Sequence, residues 1–435
     1  MNASLLRSVA SVTSLLIAVF LTTAGCKPIP PETKQANGQE SKSAKTQAAA
    51  ESAGAADADL PPDARPKPLS DEELAEGWIA LFDGHSLFGW TAHSKANWRV
   101  DDGAIVVDSG DKGLLTTNSQ FGNYLLRLEF QADPQTNSGV FLHTPVTIGP
   151  EGVAKECYEL NIAPPDNPFP TGSFVQRQKA EGVEPHEGWR SYEVRLEGGL
   201  ATVTLDGQKV LEYEDPQPLA RGHLGLQFNE GKVAFRNIRL KPLATKQIFN
   251  GQDLSGWKTY PEMASKFTVT EEAWINVKDG RGQLETEDEF GDFVLHLECY
   301  VNGDDLNSGV FFRCIPGEQM NGYECQIHNG YQNGDRTQPK DCGTGGIFRR
   351  QNARRVVSED REWFSMTLVA DGPHMAAWVN GYPVCDWTDT RPPHENPRNG
   401  LRLKPGTIML QGHDPTTDLS FRNLRIAEIS PRQSP

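Results

Sequence analysis

Leu81-Phe82-Asp83-Gly84-His85-Ser86-Leu87-Phe88-Gly89-Trp90 returns later in the chain as Ile248-Phe249-Asn250-Gly251-Gln252-Asp253-Leu254-Ser255-Gly256-Trp257. Working outward, Phe121-Gly122-Asn123-Tyr124-Leu125-Leu126-Arg127-Leu128-Glu129 returns as Phe290-Gly291-Asp292-Phe293-Val294-Leu295-His296-Leu297-Glu298. Asn137-Ser138-Gly139-Val140-Phe141 recurs unchanged at 307–311, and Phe235-Arg236-Asn237-Ile238-Arg239 recurs as Phe421-Arg422-Asn423-Leu424-Arg425. The order is the same and the spacing drifts slowly, as loop insertions would cause. Self-similarity of this kind means one structural unit written twice. The units span about 72–242 and 247–430, with almost no linker between them.

Each unit reads as β. Residues 124–130, 192–196, 201–205 and 233–238 alternate apolar and polar, and clusters of Gly, Asn, Asp and Pro separate them. Asp206-Gly207 and Asn380-Gly381 predict tight hairpins, since both residues of each pair tolerate positive φ. Residues 69–77 predict one short helix. The expected fold class is all-β, two tandem two-sheet jelly rolls, each with a dry face between its sheets and an outer face that curvature can make concave.

The rest of the 435 residues frames this pair. Lys and Arg total 42 against 58 Asp and Glu, a net charge of −16 with no basic block. Nucleic acid is therefore a poor partner, and a neutral saccharide is the expected ligand. Residues 1–25 read as an export signal: Arg7, an interrupted apolar run to Leu21, then small residues before Cys26. That ending resembles the lipobox of bacterial lipoproteins, which implies cleavage after Gly25 and lipid on Cys26. The expected location is the bacterial cell envelope, periplasm-facing or at the cell surface, with the membrane touched only through the lipid. Residues 26–70 lack aromatic residues and read as a low-complexity tether. Six further cysteines show no CxxC spacing, so zinc-ribbon and c-type haem sites are not indicated.

Period-two alternation assigns faces to the strands. Asn307, Phe311 and Arg313 share one face; Glu324, Gln326 and His328 share another, opposite Tyr323, Cys325 and Ile327; Gln411 and His413 lie opposite Leu410. If these strands are neighbours, one sheet face gathers Arg313, Glu324, Gln326, His328, Gln411 and His413. The first unit keeps a thinner version, with His143, Glu159, Asn161, Ala163, Gln227 and Asn229 at the corresponding places. The second unit is thus the better equipped for chemistry, and the first could bind or only brace it.

The Phe-(Asp/Asn)-Gly opening with its Gly-Trp, the Asn-Ser-Gly-Val-Phe strand, Tyr323-Glu324-Cys325-Gln326-Ile327, Thr344-Gly345-Gly346-Ile347-Phe348, Leu410-Gln411-Gly412-His413 and the closing Phe-Arg-Asn together resemble the 3-keto-disaccharide hydrolase domain family. The resemblance covers nearly all of 76–430, twice. It implies concanavalin- and laminin-G-like jelly rolls and sugar-directed chemistry in exported bacterial proteins. A 3-keto group acidifies the C2 proton, so a base can start elimination of the anomeric substituent, and water then adds back. On that reading His328 or Glu324 is the base, Arg313 stabilises the enolate or orients the sugar, and His413 is the acid. Gln326, Gln411 and Asn307 bind hydroxyls, with Glu159, Gln227 and His143 doing so in the first unit. His328, His413 and Glu324 could instead hold a divalent metal. Trp363, matching Trp189, is either a stacking platform or core. A non-catalytic carbohydrate-binding or adhesive module fits the same residues, as does an envelope scaffold.

Overall fold

The computed structural model describes residues 60–149, 152–183 and 186–430. The signal segment, Cys26 and most of the tether lie outside the described residues. Each repeat forms a sandwich of one eight-stranded and one five-stranded sheet. In the second repeat the small sheet runs Trp257–Lys258, Gly282–Thr286, Thr407–Gly412, Ser308–Cys314, Tyr323–Ile327 in spatial order. The large sheet places Asp418–Glu428 and Phe293–Val301 at its centre, with Trp363–Asp371, His374–Val379 and Tyr382–Thr388 to one side. The first repeat has the same plan, its small sheet ending in Ser138–Thr144 beside Tyr158–Ile162. The core lies between the sheets: Val310, Phe312, Tyr323, Cys325 and Leu410 meet Leu295, Leu297, Met366 and Leu368. Fully burying such side chains contributes about 1.5–3 kcal/mol each.

The repeated motifs are mostly structural devices. Asp83 accepts the backbone N–H groups of His85 and Ser86 at 2.7 Å, and Asn250 does the same for Gln252 and Asp253. The Trp90 and Trp257 indoles close the same loop, donating to the carbonyls of Leu81 and Ile248 at 2.7 Å. In the closing motif Asn237 and Asn423 take φ of 52° and 54° at a register shift in the central strand. Glu129 holds Arg236 and Asn237, and Glu298 holds Arg422 and Asn423. Trp189 and Trp363 lie under Arg236 and Arg422, at 4.0 and 3.9 Å from guanidinium carbon to ring centre. Both predicted hairpins form, with Leu205 opposite Gln208 and Val379 opposite Tyr382. The short helix spans Asp71–Glu76, capped by Ser70 and Glu73 and ended by Gly77 at φ 87°.

The two sandwiches share an interface. Val294, Val369, Ala376 and Trp378, on the outer face of the second large sheet, belong to the hydrophobic cluster of the first repeat. Trp378 donates to the Ala80 carbonyl at 2.8 Å. Arg354 meets Asp83 at 2.8 Å with both side chains almost wholly buried, and lies over the Phe88 and Tyr382 rings. The last residues of the tether depart from expectation, because they are held. The Arg355 guanidinium, fully buried, donates to the carbonyls of Pro61, Pro62 and Ala64, and Arg65 pairs with Glu362. Those bonds supply what apolar burial could not. All six described cysteines are buried, and Cys299, Cys314, Cys325, Cys342 and Cys385 form no disulfide.

Candidate functional site

One face of the second small sheet carries a row of polar side chains. Register pairs Glu324 with Phe311, Gln326 with Gly309, and Gln411 with Gln283. Paired residues point the same way, so Glu324, Gln326, Gln411 and Gln283 share the face turned away from Tyr323, Cys325 and Ile327. Gly309 sits among them for a steric reason. A Cβ there would lie 2.8 Å from the Glu324 Oε1. Two loops fold over this face. Met320 donates its backbone N–H to the Gln283 Oε1 at 2.7 Å, and the Asp341 carbonyl accepts from the Gln326 Nε2 at 2.8 Å.

Glu324 lines a cleft of about 200 Å³ together with Phe348, Arg349, Arg350, Pro397 and Arg398. Its side chain is buried, yet no hydrogen bond or ion pair holds its carboxyl among the described residues. Burial pushes its pKa up to about 7, with Asp341 adding to the rise and Arg398 and Arg349 opposing it. Around it the buried Oε1 atoms of Gln326 and Gln411, the Nε2 of Gln283 and the Oδ1 of Asn307 have no partner within the protein. Buried polar atoms left in this way are costly; the four lie on the Glu324 side of the sheet beneath the covering loops and do not line the cleft itself.

The four expected catalytic groups do not converge. Arg313 takes φ 48° where the strand register shifts between Phe311 and Cys314, and this turns it off the expected face. Its buried guanidinium donates to the carbonyls of Gly291, Gly372 and Arg402 and to Asp292. His143 repeats this in the first unit at φ 50°, its ring against the Gly122 and Leu219 carbonyls. Both are bulge residues that tie a strand to neighbouring loops. His413 lies beyond the strand end, 42% exposed and bound to Asp414 at 2.9 Å. No hydrogen bond or ion pair joins it to His328 or Glu324, and among the described residues no three His, Cys, Asp or Glu side chains cluster as metal ligands. The suggested metal set is therefore not assembled. His328 follows the strand end at Ile327, and its Nδ1 accepts the Gly330 N–H at 3.1 Å. That leaves the proton on Nε2 in the neutral ring. Asn307 donates to Asp341.

Sequence reading missed Gln283, Glu285 and the arginines. Gln283 and Glu285 sit in a segment that alternates like any half-buried strand. Glu285 is buried and accepts from Thr407, Tyr260 and the Gly317 N–H. Arg349, Arg350 and Arg398 come from loops, whose placement no periodicity reports.

In the first unit Glu159 keeps its place, its pKa also raised to about 7 by burial, but Gln227 donates to it at 3.3 Å. Leu114 stands where Gln283 does, and Ile148 and Val153 pack over Leu114 and Phe141.

The family described as the 3-keto-alpha-glucoside-1,2-lyase-like domain matches residues 77–241 and again 244–427. The chain belongs to this family. A protein of Bacteroides thetaiotaomicron named 3-keto-disaccharide hydrolase is 25% identical over 232 residues, covering 39% of this chain and 79% of its own. Among solved structures, a candidate glycosyl hydrolase from Parabacteroides distasonis is 24% identical, with a TM-score of 0.37, covering 40% of this chain and 98% of its own. A carbohydrate binding module from Bacillus subtilis is 13% identical, with a TM-score of 0.28, covering 35% and 94%. Family and fold together make this a sugar-active, β-sandwich protein.

Proposed function

We propose that the second domain cleaves 3-keto-glycosides by elimination and hydration, with Glu324 as the base. A single observation carries this reading: an unpartnered, buried carboxylate with a pKa near 7 lines a cleft in a chain of this family. Glu324 takes the C2 proton, which the adjacent ketone has acidified. The C2–H electron pair forms the enolate, and its collapse breaks the bond from C1 to the leaving oxygen. The leaving oxygen departs with a proton returned from Glu324 or from water. Water then adds across the double bond, so the sum is hydrolysis. A base whose pKa lies near working pH is the efficient one. The orphan amides of Gln326, Gln411 and Gln283 supply hydrogen bonds to sugar hydroxyls.

The first domain, in this reading, braces the second by covering the outer face of its large sheet. The chain is exported and held by lipid on Cys26. Labelled palmitate incorporated by the wild type and absent from Cys26→Ser supports the anchor; equal labelling of both rejects it.

The test is to incubate the soluble protein with matched 3-keto and ordinary glycosides. Cleavage of the keto substrate alone, lost in Glu324→Gln, supports the proposal. Sugar binding without cleavage would reject it in favour of a carbohydrate-binding module.

A further inference from the structure

The cleft at Glu324 is cationic, in a chain whose net charge is −16. Arg349, Arg350 and Arg398 line it, and none of the three forms an ion pair with a carboxylate among the described residues. Arg350 donates to the carbonyls of Arg349 and Arg398, and Arg398 donates to the Met320 carbonyl. Arg349 is exposed, makes no side-chain hydrogen bond, and stands over the Phe348 ring at 5.1 Å. The only carboxylate among the residues that line the cleft is Glu324.

The first domain shows that this arrangement is not a property of the fold. There Tyr158 donates to Asp215 at 2.8 Å, and Arg177, the counterpart of Arg350, pairs with the same Asp215 at 2.9 Å while lying over Tyr158. In the second domain Tyr323 donates to Asp389 at 2.7 Å, but Arg391 occupies that carboxylate through two hydrogen bonds. Arg391 and Arg398 both come from the segment 390–405, which is longer than its counterpart 216–221. The insertion therefore brings two guanidinium groups and displaces a third from its carboxylate. Arg349 itself replaces Gln176, at the same positive φ. Three guanidinium groups exceed what one enolate oxygen needs, and an exposed fork beside a cleft suits a carboxylate or sulfate.

We infer that the cleft takes a saccharide bearing an anionic group, a uronate or a sulfated sugar, whose charge is met by Arg349, Arg350 and Arg398. The net acidity that pointed to a neutral ligand is an average over the whole surface, and the local field is opposite in sign. This inference rests on the keto-glycoside reading for the reaction, but not for the binding of the anion.

The experiment compares nitrophenyl 3-keto-glucuronide with nitrophenyl 3-keto-glucoside, both anomers, on the full chain and on Arg349→Gln. Binding of methyl glucuronide is followed in parallel by saturation-transfer NMR. The expected result is a kcat/KM at least about tenfold higher for the glucuronide, shrinking with added salt and falling toward unity in Arg349→Gln. Equal rates, or a preference for the glucoside that Arg349→Gln leaves intact, overturn the inference while keeping the keto-glycoside reaction. Methyl glucuronide bound through Arg349, with neither keto substrate cleaved, keeps the inference and overturns the reaction. Neither binding nor cleavage overturns both.

Discussion

The two domains carry the same carboxylate on the corresponding strand, equally buried, and their surroundings differ. Glu159 and Glu324 are both buried, both raised to about 7, and both sit against a glycine that makes room for them. Around Glu159 the protein closes the site with a hydrogen bond from Gln227 and an apolar cover of Ile148 and Val153. Around Glu324 it leaves the carboxyl unbonded, replaces Leu114 by Gln283, and inserts a loop rich in arginine. Burial is the largest cause of the raised pKa in both, and what differs is the hydrogen bond on one and the charge around the other.

The largest break in this symmetry should be catalytic. Glu324→Gln is expected to lower turnover of a 3-keto-glycoside by 10²–10⁴, the usual worth of a positioned base, while Glu159→Gln costs less than about tenfold. Comparable losses in both would mean two working sites. A second asymmetry is structural. Asp83 neutralises the buried Arg354, whereas its repeat partner Asn250 faces no such charge. Asp83→Asn should destabilise by about 3–5 kcal/mol in denaturant melts, and Asn250→Asp should be nearly neutral.

The raised carboxyl gives a third test. Glu324 binds its proton more tightly folded than unfolded, so it penalises the fold as pH rises from 4.5 to about 7. Glu324→Gln should therefore gain stability relative to wild type at pH 8 but not at pH 4, by up to about 3 kcal/mol. Turnover of the wild type should rise with pH and level off above about 7. A profile that falls through pH 7 would make Glu324 an acid rather than a base. The smallest effect is expected from Arg391→Gln. It frees Asp389 for Arg350, as Asp215 is used by Arg177, and should lower any preference for an anionic sugar by only a few-fold.

The fold was legible because the repeat and the period-two alternation are local signals. Gly-Trp, Asp-Gly and Asn-Gly each fix a turn through their own chemistry, and the structure uses them so. The face shared by Glu324, Gln326 and Gln411 was legible for the same reason, since strict alternation holds along unbroken strands. It failed at Arg313 and His143, where a bulge with positive φ reverses the parity that the reading assumed. It failed at His413 because the strand ends at Gly412. The arginine rim was not legible at all. Arg349 and Arg350 come from one loop and Arg398 from another, and whether Arg350 pairs with a carboxylate depends on a competitor 41 positions away, Arg391.

The most direct measurement is of the C2 proton. A 3-keto-glycoside carrying deuterium at C2 is turned over by the wild type and by Glu324→Gln, and the product is read by NMR and mass spectrometry. The prediction is loss of the C2 deuterium to solvent, a primary isotope effect on the wild-type rate, and neither cleavage nor washout in Glu324→Gln. Cleavage with C2 deuterium fully retained would contradict elimination and the role of Glu324 as base.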